Sequence, residues 1–118
     1  SIKEHFRVIS LLTGRPNFEK RYAYLSKNLE LDKPHKFPAI LSGGNKRKLC
    51  TALTLLASPR LAFFDEPTTG LDPISRRNLL KLVKSSRASV LFTSHRLDEV
   101  EYLCSRVAIL QAGKLIYD

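Results

Sequence analysis

The chain has 118 residues and a net charge of +9, with 43% hydrophobic and 26% charged residues. This length suits about one small domain, and the composition excludes a disordered, collagen-like or low-complexity protein. The longest apolar runs are far below the roughly 20 residues of a membrane helix. Cys50 and Cys104 lie far apart, which argues against a disulfide framework and a structural zinc site. We therefore expect a small globular unit from a reducing compartment.

The start of the chain bears on its completeness. It begins with Ser1, contains no Met, and shows neither a signal peptide nor a transit pattern. We therefore expect an internal stretch of a longer protein, called the parent protein below. A trimmed complete domain is the alternative.

The positive charge is concentrated in the first half. Residues 1–60 carry 12 Lys and Arg against 4 Asp and Glu, whereas residues 61–118 carry 8 against 7. A basic face suits nucleic acid, anionic lipid or phosphate ligands, or it is simply a solvated surface. Charge alone leaves these alternatives open.

The first half is predicted to be helical. Apolar residues recur at helical spacing over residues 2–12 and 18–31. Pro34 and Pro38 then interrupt the pattern and predict a loop that runs to Leu41.

A third helix is predicted after Ser42. Its apolar residues fall at positions i, i+3, i+4 and i+7, which places them on one helix face: Leu49, Ala52, Leu53 and Leu56. We expect Pro59 to end this helix.

The second half is predicted to alternate strands with helices. Residues 61–64 and 88–93 are continuous apolar runs, typical of strands buried on both faces. A helical pattern at Leu79, Leu82 and Val83 separates them. Strand, helix and strand in this order imply a parallel sheet.

The end of the chain adds a short helix over residues 97–104, a third strand over 106–110, and a turn over 111–114 into residues 115–117. The predicted fold class is α/β. We expect a helical subdomain over residues 1–59, followed by part of a parallel-sheet core over residues 60–118.

Ser42, Gly43 and Gly44 form an unusual helix start. Ser42 is placed to cap the helix, but glycine costs roughly 1 kcal/mol relative to alanine in a helix interior. A glycine-lined start lets an anion approach the free backbone N–H groups. The cations at residues 46–48 are mildly unfavourable at a helix N-terminus. Two broken local rules indicate a phosphate site; an ordinary loop is the alternative.

Polar residues also follow the predicted strands. Asp65 and Glu66 end the first strand, where open α/β sheets place their ligands, and Thr93 to His95 end the next on the same edge. One carboxylate can reach Mg²⁺ while the other orients a water for attack on a phosphoryl group. An acidic turn and a structural histidine are the alternatives. Asp72 suits an N-cap before Pro73.

In this order and spacing, four segments resemble the signature motif, Walker B, D-loop and H-loop of ABC-type ATPases: Leu41-Ser-Gly-Gly-Asn45, Leu61-Ala-Phe-Phe-Asp-Glu66, Leu71-Asp72 and His95. The resemblance covers essentially the whole chain and implies part of a P-loop NTPase fold. Residues 42–49, 65–73 and 93–106 look most like the A subfamily of ABC transporters, which are mainly lipid exporters. Asn45 stands where ABC signatures more usually have Gln.

The resemblance implies a role for each matched residue at the strand ends. Asp65 would serve Mg²⁺, Glu66 would polarise the attacking water, and His95 would contact the γ-phosphate of ATP.

The resemblance also implies a site shared with a second ABC ATPase domain in a head-to-tail dimer. Ser42, Gly43 and Gly44 would bind the γ-phosphate of ATP held by that domain. Asn45 would also contact the nucleotide, and Asp72 would lie in the dimer interface near the partner's site. The basic residues 46–48 would lie near phosphate or the cytoplasmic surface.

Two further motifs of the family are absent from the sequence. No pair of glycines has the Walker A spacing, and the one glutamine, Gln111, lies too late for a Q-loop. We therefore expect the C-terminal half of an ATPase domain, with no ATPase activity in isolation.

The resemblance implies a parent protein with transmembrane domains that hydrolyses ATP at the cytoplasmic side of a membrane to move lipids. No direct contact with nucleic acid is expected. The alternative is the ATPase of a soluble ABC protein that acts on ribosomes or nucleic acid. A basic binding module without enzyme activity ranks last, because it leaves the four ordered motifs unexplained.

Overall fold

The computed structural model describes residues 1–14, 17–31 and 37–117. The first half holds three α-helices and one short 3₁₀ turn: α1 (Ile2–Leu12), α2 (Phe18–Asn28), the turn (Pro38–Ile40) and α3 (Gly43–Ala57). The second half alternates strands and helices: β1 (Leu61–Asp65), α4 (Pro73–Lys84), β2 (Ser89–Thr93), α5 (Leu97–Leu103), β3 (Ile109–Gln111) and β4 (Lys114–Tyr117). The predicted α/β class and order of elements are confirmed.

The first two helices bring aromatic side chains into the core. Ser1 caps α1, and its hydroxyl accepts a hydrogen bond from the backbone N–H of Glu4 at 3.3 Å. Phe6 is buried and meets Tyr22 of α2 edge to face, with ring centroids 5.0 Å apart. These contacts pack α1 against α2.

The predicted end of α2 at residue 31 was wrong, since the helix ends at Asn28. Glu30 has a left-handed φ of 54°, and the N–H of Leu31 turns back to the carbonyl of Ser26 at 2.8 Å. Leu31 is nonetheless buried, which is why its apolar spacing looked helical. Part of the predicted loop, including Pro34, lies outside the described residues.

The predicted face of α3 is confirmed. Leu49, Ala52 and Leu56 are buried, and Leu53 packs partly buried against the same core. The helix ends at Ala57, followed by a left-handed residue and then the proline expected to stop it.

Strands β1 and β2 form the predicted parallel pair, with Phe63 opposite Leu91 and Asp65 opposite Thr93. Burial on both faces was wrong. Alternate residues of β1 are buried, whereas the side chains between them are exposed, and Phe63 is 67% exposed. The inner face joins the helical core, and no described residue covers the outer face comparably.

The last two strands form a hairpin. β3 pairs antiparallel with β4 and not with the parallel pair, within residues 37–117. Strand β3 starts at Ile109, three residues after the predicted start, and Gln111 pairs with Lys114. The turn therefore shrinks to the two residues between them, which both have positive φ, as two-residue hairpin turns require.

One apolar cluster contains residues from both sides of the predicted division near Pro59. It includes Phe6 and Leu56 from the helical half and Phe64 and Leu79 from the sheet half. The two predicted subdomains, 1–59 and 60–118, stay a prediction. Among the described residues, no helix is both long and apolar enough to cross a membrane.

Candidate nucleotide site

The carboxyl ends of β1 and β2 meet through side-chain and backbone hydrogen bonds. The Thr93 hydroxyl donates to Asp65 Oδ1 at 2.6 Å. The backbone N–H of Glu66 donates to the carbonyl and the hydroxyl oxygen of Thr93, at 3.2 and 3.0 Å. The parallel register thus places Asp65 and Glu66 beside the segment that carries His95, as predicted.

Glu66 and His95 form an exposed carboxylate–imidazole pair. Glu66 Oε1 lies 3.3 Å from His95 Nδ1, and Glu66 Oε2 accepts a hydrogen bond from the Thr69 hydroxyl at 3.0 Å. The two side chains of the pair are 44% and 67% exposed. Glu66 has a φ of 41°, a conformation that costs a non-glycine residue of the order of 1–3 kcal/mol and often marks a functional site. The turn aims its carboxylate away from the strand and toward the imidazole.

A buried carboxylate lies beneath this pair. Glu99 of α5 is 0% exposed. Its Oε2 accepts hydrogen bonds from the Thr68 hydroxyl at 2.9 Å and the Ser94 hydroxyl at 2.7 Å. Its Oε1 lies 3.5 Å from Arg96 Nε and 3.8 Å from Arg76 Nε. This ion-pair cluster, consisting of Glu99, Thr68, Ser94, Arg76 and Arg96, joins the loops that follow β1 and β2.

Glu99 and its partners were not predicted from the sequence. One signal was available: Glu99 lies four residues before Leu103, so the two side chains share one face of α5. Leu103 packs against the core, and this face therefore points inward. A charged residue on an inward-facing stripe requires a buried partner.

The start of α3 exposes backbone atoms rather than large side chains. The Ser42 hydroxyl accepts from the N–H of Asn45 at 3.3 Å, which confirms the predicted cap. Gly43 is exposed, and a Cβ added to it would meet nothing within 4 Å. The first N–H groups of a helix have no intrahelical partner. This open start therefore fits an anion such as phosphate.

The same helix start packs against the loop before α4. A Cβ on Gly44 would lie 2.9 Å from the carbonyl oxygen of Gly70 and 3.1 Å from Leu71 Cδ2. The close packing against this loop therefore requires glycine at position 44, whether or not a ligand also binds there. The contact holds the start of α3 against the loop that leads to Asp72.

Asp72 caps α4, as predicted. Its Oδ1 accepts from the N–H groups of Ile74 and Ser75, each at 3.0 Å. Hydrogen bonds from Ser75, followed by the one from Ile74, lower the pKa of this exposed carboxyl to about 2. Asp72 thus has a structural role whether or not it also meets a second domain.

The basic segment 46–48 does not act as one surface. Lys46 and Arg47 are exposed, but Lys48 is buried, and the expectation that it lies near phosphate or the surface was wrong. Its Nζ lies 3.2 Å from Glu30 Oε2, which also accepts from the Ser75 hydroxyl at 3.2 Å. Lys48 turns inward because a carboxylate is available there.

The carboxylates at the strand edge fit a magnesium ion that is also held by phosphate, and they do not form a complete set of protein ligands. In the described part of the chain, no three His, Cys, Asp or Glu side chains cluster as metal ligands. Mg²⁺ is commonly bound by one or two carboxylates together with substrate phosphates. The exposed Asp65, steadied by Thr93, meets that requirement.

The comparisons with known proteins agree with this arrangement. No protein-family model matches the chain. The chain is 43% identical to ATP-binding cassette sub-family A member 7 of Rattus norvegicus and 51% identical to sub-family A member 2 of Homo sapiens, over 95% and 96% of its length. It is 42% identical over 95% of its length to the phospholipid-transporting ATPase ABCA7 of Homo sapiens. It spans 5–6% of the length of these relatives.

A solved structure agrees at the level of the fold. It is described as the structure of the ATP-binding subunit of an ABC transporter, and it superposes with a TM-score of 0.87 at 30% identity. The match covers 98% of this chain and 50% of that one. Fold and relatives together define an ATP-binding cassette sequence. The chain belongs to the family of ABC transporters, and within that family it is similar to the A subfamily.

Proposed function

We propose that this chain is the C-terminal half of an ATPase domain that hydrolyses ATP to drive lipid transport across a membrane. The observation that carries the proposal is the pair of Glu66 and His95, 3.3 Å apart, beside Asp65 at the edge of the parallel sheet. This arrangement offers a base, an imidazole and a metal-binding carboxylate at one edge. Phosphoryl transfer uses such groups.

Each side chain has a separate part in the proposed hydrolysis. Bound Mg²⁺ supplies charge neutralisation of the phosphate oxygens, and Asp65 would hold it. Glu66 would accept a proton from the attacking water, because its exposed carboxylate is held by Thr69 and faces solvent. His95 would donate to the γ-phosphate while Glu66 holds the other side of its ring.

The start of α3 would complete a site on a second ATPase domain. Ser42, Gly43 and Gly44 would bind the γ-phosphate of ATP held by that domain, and Asn45 would also contact the nucleotide. Support comes from the open approach to Gly43 and from the cap at Ser42. Asp72 would lie in the same interface, because Gly44 packs against the loop that leads to it.

The transport role is supported by the relatives. One human relative, ABCA7, is named a phospholipid-transporting ATPase, and this name favours lipid over other cargo. Similarity to the A subfamily also favours a transporter over a soluble ABC protein that acts on nucleic acid. We place the ATPase domain at the cytoplasmic side, next to transmembrane domains of the parent protein.

The half-domain proposal is supported by the match to half of a solved ATP-binding subunit. Exposed apolar residues on the outer face of the sheet, including Leu61, Phe63 and Leu91, fit a face that further chain would cover. The 118 residues alone lack a Walker A lysine. They should therefore show no ATPase activity and no affinity for Mg-ATP tighter than about millimolar.

The test is the Glu66→Gln variant of the parent protein. It should bind ATP normally, while kcat for hydrolysis falls by about 10²–10⁴, because an amide cannot take a proton from water. Glu101→Gln is the matched control, since Glu101 is exposed on α5. Hydrolysis at the wild-type rate by Glu66→Gln would overturn the assignment.

A further inference from the structure

We propose that Glu99 is a positioning residue for hydrolysis, which fixes the separation of Glu66 and His95 without touching either. The inference rests on the proposed function and adds a residue to it. It draws on the ion-pair cluster beneath the strand edge, in which a single carboxylate contacts both loops.

Few contacts hold the side chains of the exposed pair: the hydrogen bond from Thr69 to Glu66 and the contact between Glu66 and His95. Both Glu66 and His95 project into solvent, so they have few packing contacts to fix their side chains. Their backbones decide where they lie. Two residues after Glu66 comes Thr68, which is buried, and one residue before His95 comes Ser94, which is half-buried.

One oxygen atom of Glu99 joins these two anchors. The hydroxyls of Thr68 and Ser94 both donate to Oε2, at 2.9 and 2.7 Å. Each loop is therefore tied to the same point in the interior. A shift of the Glu99 carboxylate would move both loops, and with them Glu66 and His95.

Two arginines lie within ion-pair distance of Glu99 Oε1, which accepts no hydrogen bond from the residues that the structure describes. Arg76 comes from α4 and Arg96 from the start of α5, and both approach Oε1. Opposite charge from two elements offsets the cost of burying the anion. Glu99 itself is fully buried, whereas both arginines are partly exposed.

Other uses of Glu99 fit the structure less well. It cannot be a base for hydrolysis, since it is 0% exposed and both its oxygens face partners. A role in stability alone would not require both hydroxyls to come from the loops that carry the reacting side chains.

The experiment measures ATP hydrolysis per bound nucleotide in the parent protein. Glu99→Gln keeps an oxygen for the two hydroxyls but removes the charge between the arginines. Thr68→Val is the milder variant, because it keeps the side-chain shape and removes one donor. Glu101→Gln, on the exposed side of the same helix, is the control and should match the wild type.

We expect kcat to fall about 10- to 100-fold in Glu99→Gln, the range for a misplacement near 1 Å, with KM unchanged. The loss in Thr68→Val should be smaller and in the same direction. A residue that acts only on stability would lower the amount of folded protein and leave kcat per bound nucleotide intact. If Glu99→Gln fails to fold, Thr68→Val carries the test.

A double-mutant cycle with His95→Ala completes the experiment. If Glu99 acts through the pair, its removal should add little once His95 is gone, because the coupled effects are not additive. The inference would be overturned if the kcat losses of Glu99→Gln and His95→Ala multiply in the double variant. It would also be overturned if Thr68→Val and Glu99→Gln both keep the wild-type kcat. Normal hydrolysis by Glu66→Gln would instead overturn the proposed function.

Discussion

The strand edge and the start of α3 present their chemistry in different ways. At the strand edge, reactive side chains project from two loops that buried contacts hold in place. At the helix start, Ser42 caps the helix and two glycines follow it, so the proposed ligand would meet backbone N–H groups. The chemistry of the strand edge depends on the functional groups that its side chains carry. The chemistry of the helix start depends on the lack of side-chain atoms that would cover the backbone.

This difference predicts different sensitivities to mutation. Conservative changes at the strand edge should remove chemistry and leave the fold intact. At the helix start, even one methyl group added at Gly44 should disturb packing, because this position has no room for a Cβ. Activity and stability, measured for variants of both regions, separate the two kinds of effect.

After Glu66→Gln, the largest effect is expected for His95→Ala in the parent protein. Its kcat should fall about 10²-fold, the usual loss when one donor to a developing charge is removed. The melting temperature should change little, since the His95 side chain is 67% exposed. Parallel measurements of kcat and melting temperature test this. A large drop in melting temperature with normal activity would make the histidine structural.

Gly44→Ala is expected to have an intermediate effect. The added Cβ would lie 2.9 Å from the backbone carbonyl oxygen of Gly70, and overpacking of this kind costs about 1–3 kcal/mol of unfolding free energy. Gly43→Ala is the matched control. Its Cβ meets nothing, so it should gain up to about 1 kcal/mol from helix propensity. The unfolding free energies of both variants, measured with denaturant, test this prediction. Equal changes in the two variants would contradict the packing argument.

The smallest effect is expected for Asp72→Asn and should appear only in acid. The pKa of Asp72 is about 2 in the folded chain, below the ordinary 3.8. Its ionised form therefore stabilises the fold above the ordinary pKa, and this contribution is lost as pH falls through about 2. Asparagine keeps a capping oxygen but does not titrate. The wild type should therefore lose its advantage over Asp72→Asn between about pH 5 and about pH 2; a pH-independent difference in melting temperature would refute this.

Much of this fold follows from local pattern. Helical spacing predicted α1 and the buried face of α3, and the parallel order of β1 and β2 predicted that Glu66 and His95 share an edge. These features depend on periodicity and on chain order, which are properties of the sequence itself.

The remaining features depend on contacts between distant residues. The burial of Lys48 requires Glu30 of another segment, and the burial of Glu99 requires Thr68, which lies 31 residues away in the chain. Continuous apolar composition in β1 could not reveal that Phe63 faces outward. Local pattern cannot supply such facts, because they are set by what covers each side chain.

The central claim is that the helix start binds across an interface while the strand edge hydrolyses. The most direct test is the size of the parent's ATPase domain in Mg-ATP, compared between Glu66→Gln and Gly43→Asp. Glu66→Gln should form an ATP-dependent dimer, because it binds nucleotide without consuming it. Gly43→Asp should bind ATP yet stay monomeric, because its carboxylate would lie where phosphate should bind. An ATP-dependent dimer of Gly43→Asp would contradict the account.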